Sequence, residues 1–179
     1  MIIFKDACTG DELFSDCFKM VSEEDDFLIG CCGQFTNRAA GGISAELLGA
    51  NPSQEEQEEE CEDGGAQTGI DICLNHNLED KSDYFTDKKV ITSYLKKWLK
   101  NVATKMAEDD KEKAEAFKDV CQKKIKAFLG KWTPDCSVYS GPHFDPEDAK
   151  SQILIGVWGE DGMSITMYGI KTCMLEEKQ

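Results

Sequence analysis

Side chains that could carry chemistry are few and lie far apart in this sequence. The two histidines, His76 and His143, form no pair at helical spacing, and neither a G-x-S-x-G elbow nor a Walker phosphate loop occurs. His76 with Asp71 and Glu79 could hold a metal, but a single imidazole among carboxylates on a strand is more often structural. We therefore predict a protein that has no catalytic residues and is not an enzyme.

Thiols are the second source of potential chemistry. The nine cysteines are odd in number, match no small secreted scaffold and include no C-x-x-C pair. We predict free thiols and no zinc site, with Cys73 and Cys121 buried as small apolar residues. A thiol-based redox or chaperone role would rest on the cysteine count alone.

The densest group of charges is acidic. Seven of the nine positions from Glu55 to Asp63 are Asp or Glu, and almost no apolar side chain accompanies them. Mutual repulsion and the lack of a surface to bury predict a mobile loop over residues 51–67. Such a loop is either a solvated tether or a soft cation site, and composition alone favours neither.

Length and composition limit the remaining classes. The chain has 179 residues, 40% of them hydrophobic, which suits one domain with a real core. Its 20 basic and 35 acidic residues give a net charge of -15, which argues against nucleic-acid binding and against docking on anionic membranes. Since no membrane span or signal peptide is recognisable, we expect a cytoplasmic protein; export by a route without a signal peptide is left open.

Short, turn-rich segments make up the first part of the chain. The runs "MIIF", "DELFSDCFKM" and "DFLIGCCGQF" alternate with glycine-containing turns and predict strands, with one helical turn over residues 11–14. Residues 68–78, "TGIDICLNHNL", predict a further strand because apolar and polar side chains roughly alternate.

Between residues 86 and 131 the apolar side chains recur every three or four residues. This period predicts two amphipathic helices joined by the polar turn "AEDDKEK", with Thr86 as the first cap and Gly130 and Pro134 as the final stop. So short a turn makes the helices antiparallel.

Residues 88–131 hold 13 lysines and 6 acids, a local charge of +7. These lysines either keep the helices soluble or form a docking surface.

The last part of the chain returns to strands. "QILIGVW" and "MSITMYGI" flank "GEDG", and Asp161-Gly162 between two such runs is typical of a β-hairpin. Strands, then two helices, then strands predict an α+β fold in which the helices project from mostly antiparallel strands.

Several motifs, taken in order, resemble the translationally controlled tumour proteins, also called fortilin or histamine-releasing factor. The opening "MIIFKDACTGDELFSD" is similar to the family's amino terminus, "LLGANPSQEE" to its first signature, and "TGIDICLNH" to the segment after its acidic loop. The lysine-rich helices and the closing "EDG" and "LEEK" follow at matching distances. The resemblance therefore spans the whole chain.

This resemblance implies a fold, which is a single family domain over residues 1–179. That fold is a β-tent of short, mostly antiparallel strands with a projecting α-helical hairpin and a mobile acidic loop. Its successive parts would be tent strands at 1–50, the loop at 51–67, a strand and connection at 68–85, the hairpin at 86–131 and closing strands at 132–179.

The resemblance also implies an interaction protein that binds calcium and tubulin and promotes growth and survival, with apoptosis regulators among its partners. Because no EF-hand spacing occurs, calcium binding should be weak and diffuse. Its candidate ligands are Glu55, Glu56, Glu58, Glu59, Glu60, Glu62, Asp63, Glu108, Asp109 and Asp110. For the acidic tails of tubulin the candidates are Lys88, Lys89, Lys96, Lys97, Lys100, Lys123 and Lys124.

An alternative function implied by the resemblance is nucleotide exchange on a Rheb-type small GTPase, or contact with such a GTPase or its exchange factor. Glu12, with Asp11 beside it, is the candidate because a carboxylate near the nucleotide's Mg²⁺ could displace the ion by charge competition. The competing interpretation is that Asp11 and Glu12 cap the helical turn predicted there.

Overall fold

The structure, a computed structural model, describes residues 1–38 and 67–179. Residues 51–66 of the predicted acidic loop lie outside these ranges, and Gln67 already belongs to a strand. The described helices are α1 (Asp71–His76), α2 (Lys88–Asp109) and α3 (Lys111–Gly130). The described strands are β1 (Ile2–Asp6), β2 (Glu12–Ser15), β3 (Lys19–Glu23), β4 (Leu28–Arg38), β5 (Gln67–Ile70), β6 (Glu79–Asp80), β7 (Ser137–Ser140), β8 (Ile153–Trp158), β9 (Ser164–Ile170) and β10 (Met174–Lys178).

The strands form two sheets, and every pairing between described strands is antiparallel. β1 is the centre of a three-stranded sheet with β10 and β2 on either side. The other sheet follows the path β3-β4-β9-β8-β7-β6, with β5 also paired to β4. The predicted α+β class, with antiparallel strands and a helical pair, is confirmed.

Apolar side chains cover both faces of the larger sheet. In β8, Ile153 and Ile155 belong to the core shared with α2 and α3, whereas Leu154 between them belongs to a cluster with Leu13 and Phe14 of β2. This alternation follows from the two-residue period of a strand that is buried on both sides. The larger sheet therefore lies between the helices and the smaller sheet.

The predicted hairpin between β8 and β9 is present. Its turn contains Gly162 at a φ of +68°, a conformation that glycine adopts without steric cost. The carboxylate of Asp161 accepts hydrogen bonds from the backbone N–H groups of Met163 and Ser164. These bonds lower the pKa of Asp161 and hold the turn closed.

The helical turn predicted over residues 11–14 is wrong. The chain instead enters β2, where Phe14 lies opposite Phe4 of β1. Leu13 and Phe14 are both fully buried, and both belong to the core cluster that contains Phe4. Pairing with a distant strand has overridden the local preference of this segment.

The strand predicted over residues 68–78 is only partly right. β5 ends at Ile70, α1 follows at once, and Asn77 ends the helix in a left-handed conformation at a φ of 54°. Ile72 and His76 lie four residues apart and are both buried. That spacing places them on one face of a helix, so burial in the tertiary structure has selected the helical period here.

The predicted helical hairpin is present, but its cap and its turn differ from the prediction. Asp87 rather than Thr86 caps α2, because the Asp87 carboxylate accepts the backbone N–H of the residue two positions later. Asp110 alone separates the helices, and its carboxylate accepts from the N–H groups of Glu112 and Lys113. Glu and Lys are good helix formers, so most of the predicted turn is helical.

The hairpin is fixed to the larger sheet along its apolar stripe. Trp98 is fully buried in the core that α2 and α3 share with β8 and β9. The hydroxyl of Tyr94, also buried, donates a hydrogen bond to the carbonyl of Ser151 at 2.5 Å.

In the described ranges, no helix has the length and apolar character needed to cross a membrane.

Candidate functional site

Asp11, the first carboxylate of the predicted GTPase contact, lies buried immediately before β2. Its Oδ2 accepts the backbone N–H of His143 at 3.1 Å, and its Oδ1 contacts the His143 ring at Nδ1. A side chain at Gly141 would lie 2.4 Å from Asp11 Oδ2, so only glycine fits against this carboxylate. Asp11 therefore fastens the turn at residues 141–143 to the small sheet, and the idea that it caps a helix is wrong.

The ring of His143 lies outside this buried contact. Its side chain is 74% exposed, while the carboxylate it meets is almost fully buried. The hydrogen bond that the protonated ring donates to Asp11 raises the pKa of His143, because the negative charge stabilises the protonated ring.

Glu12, the second carboxylate of the predicted contact, is available at the surface. It belongs to β2, its side chain is 42% exposed, and its Oε2 lies 3.4 Å from Nδ1 of His76. The His76 ring is buried against Phe18, and its Nε2 has no hydrogen-bond partner within the described ranges. Burial lowers the pKa of His76 despite the nearby carboxylate, so the contact with Glu12 is weak at neutral pH.

The metal site considered for His76 does not form. Oδ1 of Asp71 accepts the N–H groups of Gln34 and Ile72, and Glu79 pairs with Lys81 at 2.6 Å. Across residues 1–38 and 67–179, no group of three or more His, Cys, Asp or Glu side chains is arranged to hold a metal ion.

The lysines proposed to contact tubulin are mostly free on the helix surfaces. Lys124 differs, because its Nζ donates to the carbonyl of Glu24 at 2.8 Å and lies 3.5 Å from the Asp25 carboxylate. It thereby ties α3 to the turn between β3 and β4. The other six are exposed and form no ion pair with another described residue; they are Lys88, Lys89, Lys96, Lys97, Lys100 and Lys123.

A comparison with protein families decides how the chain is classified. The family model described as "Translationally controlled tumour protein" matches residues 1–174. The chain belongs to this family. The resemblance inferred from the order of the sequence motifs is thus confirmed.

Relatives in the translationally controlled tumour protein family match over nearly the whole chain. The homologue from Labeo rohita is 34% identical over 99% of both chains, and that from Aedes albopictus is 38% identical over 82% of both. Among solved structures, the Schizosaccharomyces pombe protein p23fyp covers all of both chains with a TM-score of 0.68 and 27% identity. The Caenorhabditis elegans protein covers 100% of this chain and 99% of its own, with a TM-score of 0.62 and 31% identity.

The calcium candidates of this family member divide into two groups. Those from Glu55 to Asp63 lie outside the described residues. Glu108 and Asp109 are exposed at the end of α2, whereas the Asp110 carboxylate is engaged as the cap of α3. The three side chains at the tip of the hairpin therefore do not form a ligand set for Ca²⁺, which needs six to eight oxygens.

The two thiols that the sequence predicts to be buried, those of Cys73 and Cys121, provide little reactive chemistry. The eight cysteines in the part of the protein that the structure describes are free, and Cys121 is buried as predicted while Cys73 is half-buried. Burial raises the pKa of both thiols to about 12, so neither is a thiolate at neutral pH. Cys61 lies outside the described residues.

Proposed function

We propose that this family member acts in the cytoplasm by protein-protein contact, and that α2 and α3 bind the acidic tails of tubulin. The observation that carries the proposal is the set of six exposed lysines on these helices, which have no ion-pair partner among the described residues. A lysine without an intramolecular partner can pair with a tail carboxylate without first breaking another pair. Held on a packed helix, it also loses less backbone freedom when it binds.

The net charge of the chain opposes this encounter, so the local charge has to outweigh it. Residues 88–131 carry +7 within a chain of -15. At physiological salt the Debye length is about 8 Å, which screens the helix lysines from carboxylates elsewhere on the body. The proposal therefore predicts binding that weakens steeply with salt.

Microtubule co-sedimentation across a salt series tests the proposal. Lys96→Glu, Lys97→Glu and Lys100→Glu together lower the charge of residues 88–131 from +7 to +1, and we expect at least about tenfold weaker binding with a smaller salt dependence. A matched control reverses three exposed lysines off the helices, those at positions 19, 150 and 178. Both variants take the net charge from -15 to -21. Equal losses in the two would mean that overall charge, and not the helix surface, governs binding.

We also infer weak calcium binding by the carboxylates at residues 55–63. Its support is the density of seven acids in nine positions, together with the lack of a ligand cluster at the hairpin tip. We expect a Kd of about 10⁻⁴ to 10⁻³ M by titration calorimetry, and loss of binding when residues 55–63 are deleted. The paired variant Glu108→Gln with Asp109→Asn should bind as the wild type does. A micromolar site, or binding that survives the deletion, would exclude this inference.

A second candidate function is nucleotide exchange on a Rheb-type small GTPase, favoured by the position of Glu12. Glu12 presents its carboxylate at the surface, whereas that of Asp11 is buried and engaged with His143. Glu12→Val should abolish the release of nucleotide from the GTPase that the wild-type protein stimulates. Glu176→Val is the matched control, because Glu176 lies in the same sheet and is 43% exposed, against 42% for Glu12. Equal release rates for both variants and the wild type would exclude Glu12 as the exchange residue.

Effects on growth and survival would follow from such contacts with a GTPase, its exchange factor or apoptosis regulators. Affinity capture with the wild type and with the variant reversed at Lys96, Lys97 and Lys100 would show which partners need the helix lysines for binding and which do not. Charge reversal is a better comparison than deletion of the helices, because removing Trp98 and its neighbours would expose the core. Partners retained by the reversed variant would then be assigned to the sheets.

A further inference from the structure

A groove of about 300 Å³ lies between α2 and α3 and opens to solvent. Its floor is apolar and consists of Leu99, Ala103, Phe117, Cys121 and Ile125. Leu99 and Ile125 are half-buried and the other three are buried, so the floor is shallow but accessible. Contact with a purely acidic tail would use the lysines and leave this floor uncovered.

Lysines stand on both sides of the groove. Lys96 and Lys100 are one helical turn apart on α2, and Lys118 lies on the α3 side. All three are exposed, and none forms an ion pair with another residue in the described ranges. An occupant that carries carboxylates along both edges and apolar side chains between them would be complementary to this surface.

We propose that the groove binds an acidic amphipathic α-helix of a partner protein. From Lys96 to Ala103 the groove follows eight residues of α2, a rise of about 10 Å or two helical turns. That length matches apolar anchors at positions i, i+3 or i+4, and i+7 of a docked helix. A second copy of this chain fits less well, because its helices would bring the same lysines against those of the first.

The groove shares Lys96 and Lys100 with the proposed tubulin contact, but binding in the groove also requires the apolar floor. A fluorescein-labelled synthetic helix of about 18 residues is the probe, with Leu on one face and Glu on both flanks. Titrated with the full chain and followed by fluorescence anisotropy, it should bind with a Kd on the order of 10 μM, because the contact area is small. Two matched peptides, one with Ser in place of Leu and one with Lys in place of Glu, should each bind at least about tenfold more weakly.

Variants of the protein locate the binding. Lys96→Glu with Lys100→Glu should weaken binding of the probe by about tenfold or more. Lys123→Glu with Lys126→Glu makes the same charge change at exposed positions on α3 that do not line the groove, and should change Kd by no more than about twofold. Leu99→Asn should weaken the probe while leaving microtubule co-sedimentation unchanged, which separates this proposal from the tubulin proposal.

Equal binding of the Leu and Ser peptides would mean that charge alone attracts the probe and would overturn the proposal, as would equal losses for the two lysine pairs. Absence of measurable binding up to about 1 mM protein would overturn it as well. Because the lysine variants change only exposed side chains, they remain informative even if Leu99→Asn lowers the thermal stability.

Discussion

Asp11 and Glu12 are neighbours in sequence, yet the structure predicts opposite consequences for their removal. In Asp11→Ala the backbone N–H of His143 loses its acceptor at 3.1 Å, in a partly buried position. An unsatisfied buried donor costs about 1 to 3 kcal/mol of unfolding free energy. For a domain of this size, a loss of about 2 kcal/mol lowers the melting temperature by about 4 to 8 °C. Glu12→Val removes the weak contact with His76 and the attraction to Lys5 on β1, both at the surface, and the expected change is within about 0.5 kcal/mol.

Thermal unfolding followed by circular dichroism, with urea unfolding for the free energies, measures both variants. His143→Ala is a useful third variant, because it removes the ring and keeps the backbone N–H; it should cost less than Asp11→Ala. If Asp11→Ala proved as mild as Glu12→Val, the carboxylate would not hold the turn at residues 141–143. Asp11 would then be free to meet a partner, and the division of roles between these two residues would be wrong.

Four further predictions concern pH, the helix turn and the core. The raised pKa of His143 adds stability below its ordinary value of 6.5 that is lost as pH rises through the folded pKa, so His143→Gln should cost more at about pH 5.5 than at about pH 8 in urea unfolding. The lowered pKa of His76 reverses the sign, since stability is lost as pH falls below 6.5; His76→Asn should therefore cost less at about pH 5.5 than at about pH 8. Asp110→Ala should cost about 1 kcal/mol by thermal unfolding because α3 loses its cap, whereas Asp109→Ala, exposed and not capping α3, should cost almost nothing. Tyr94→Phe leaves a buried carbonyl without its donor and should cost about 1 to 2 kcal/mol in the same assay.

Much of the candidate site could be predicted from local patterns. The three- and four-residue apolar spacing placed two helices close to their observed bounds, and the same spacing indicated which lysines would lie off the buried stripe. Lys96, Lys97 and Lys100 are indeed exposed on α2, whose apolar face is buried. These features are local because a helix repeats every 3.6 residues whatever it packs against.

Contacts between distant parts of the chain were beyond such patterns. Asp11 and His143 are 132 residues apart, and Lys124 meets the carbonyl of Glu24 across 100 residues. No spacing in the sequence indicates these partners. The sequence around His143, with Gly141 and Pro142 before it, does not indicate that the backbone N–H of His143 donates to the carboxylate of Asp11.

Local patterns therefore predict the helical hairpin, the β8–β9 turn and the separation of charge, and the order of the motifs predicts the family. The tertiary structure alone decided that residues 12–15 form a strand and residues 71–76 a helix, and that Asp11 is buried while Glu12 is exposed. Helix period and turn chemistry depend on neighbouring residues, whereas burial and hydrogen-bond partners depend on which distant strands pair.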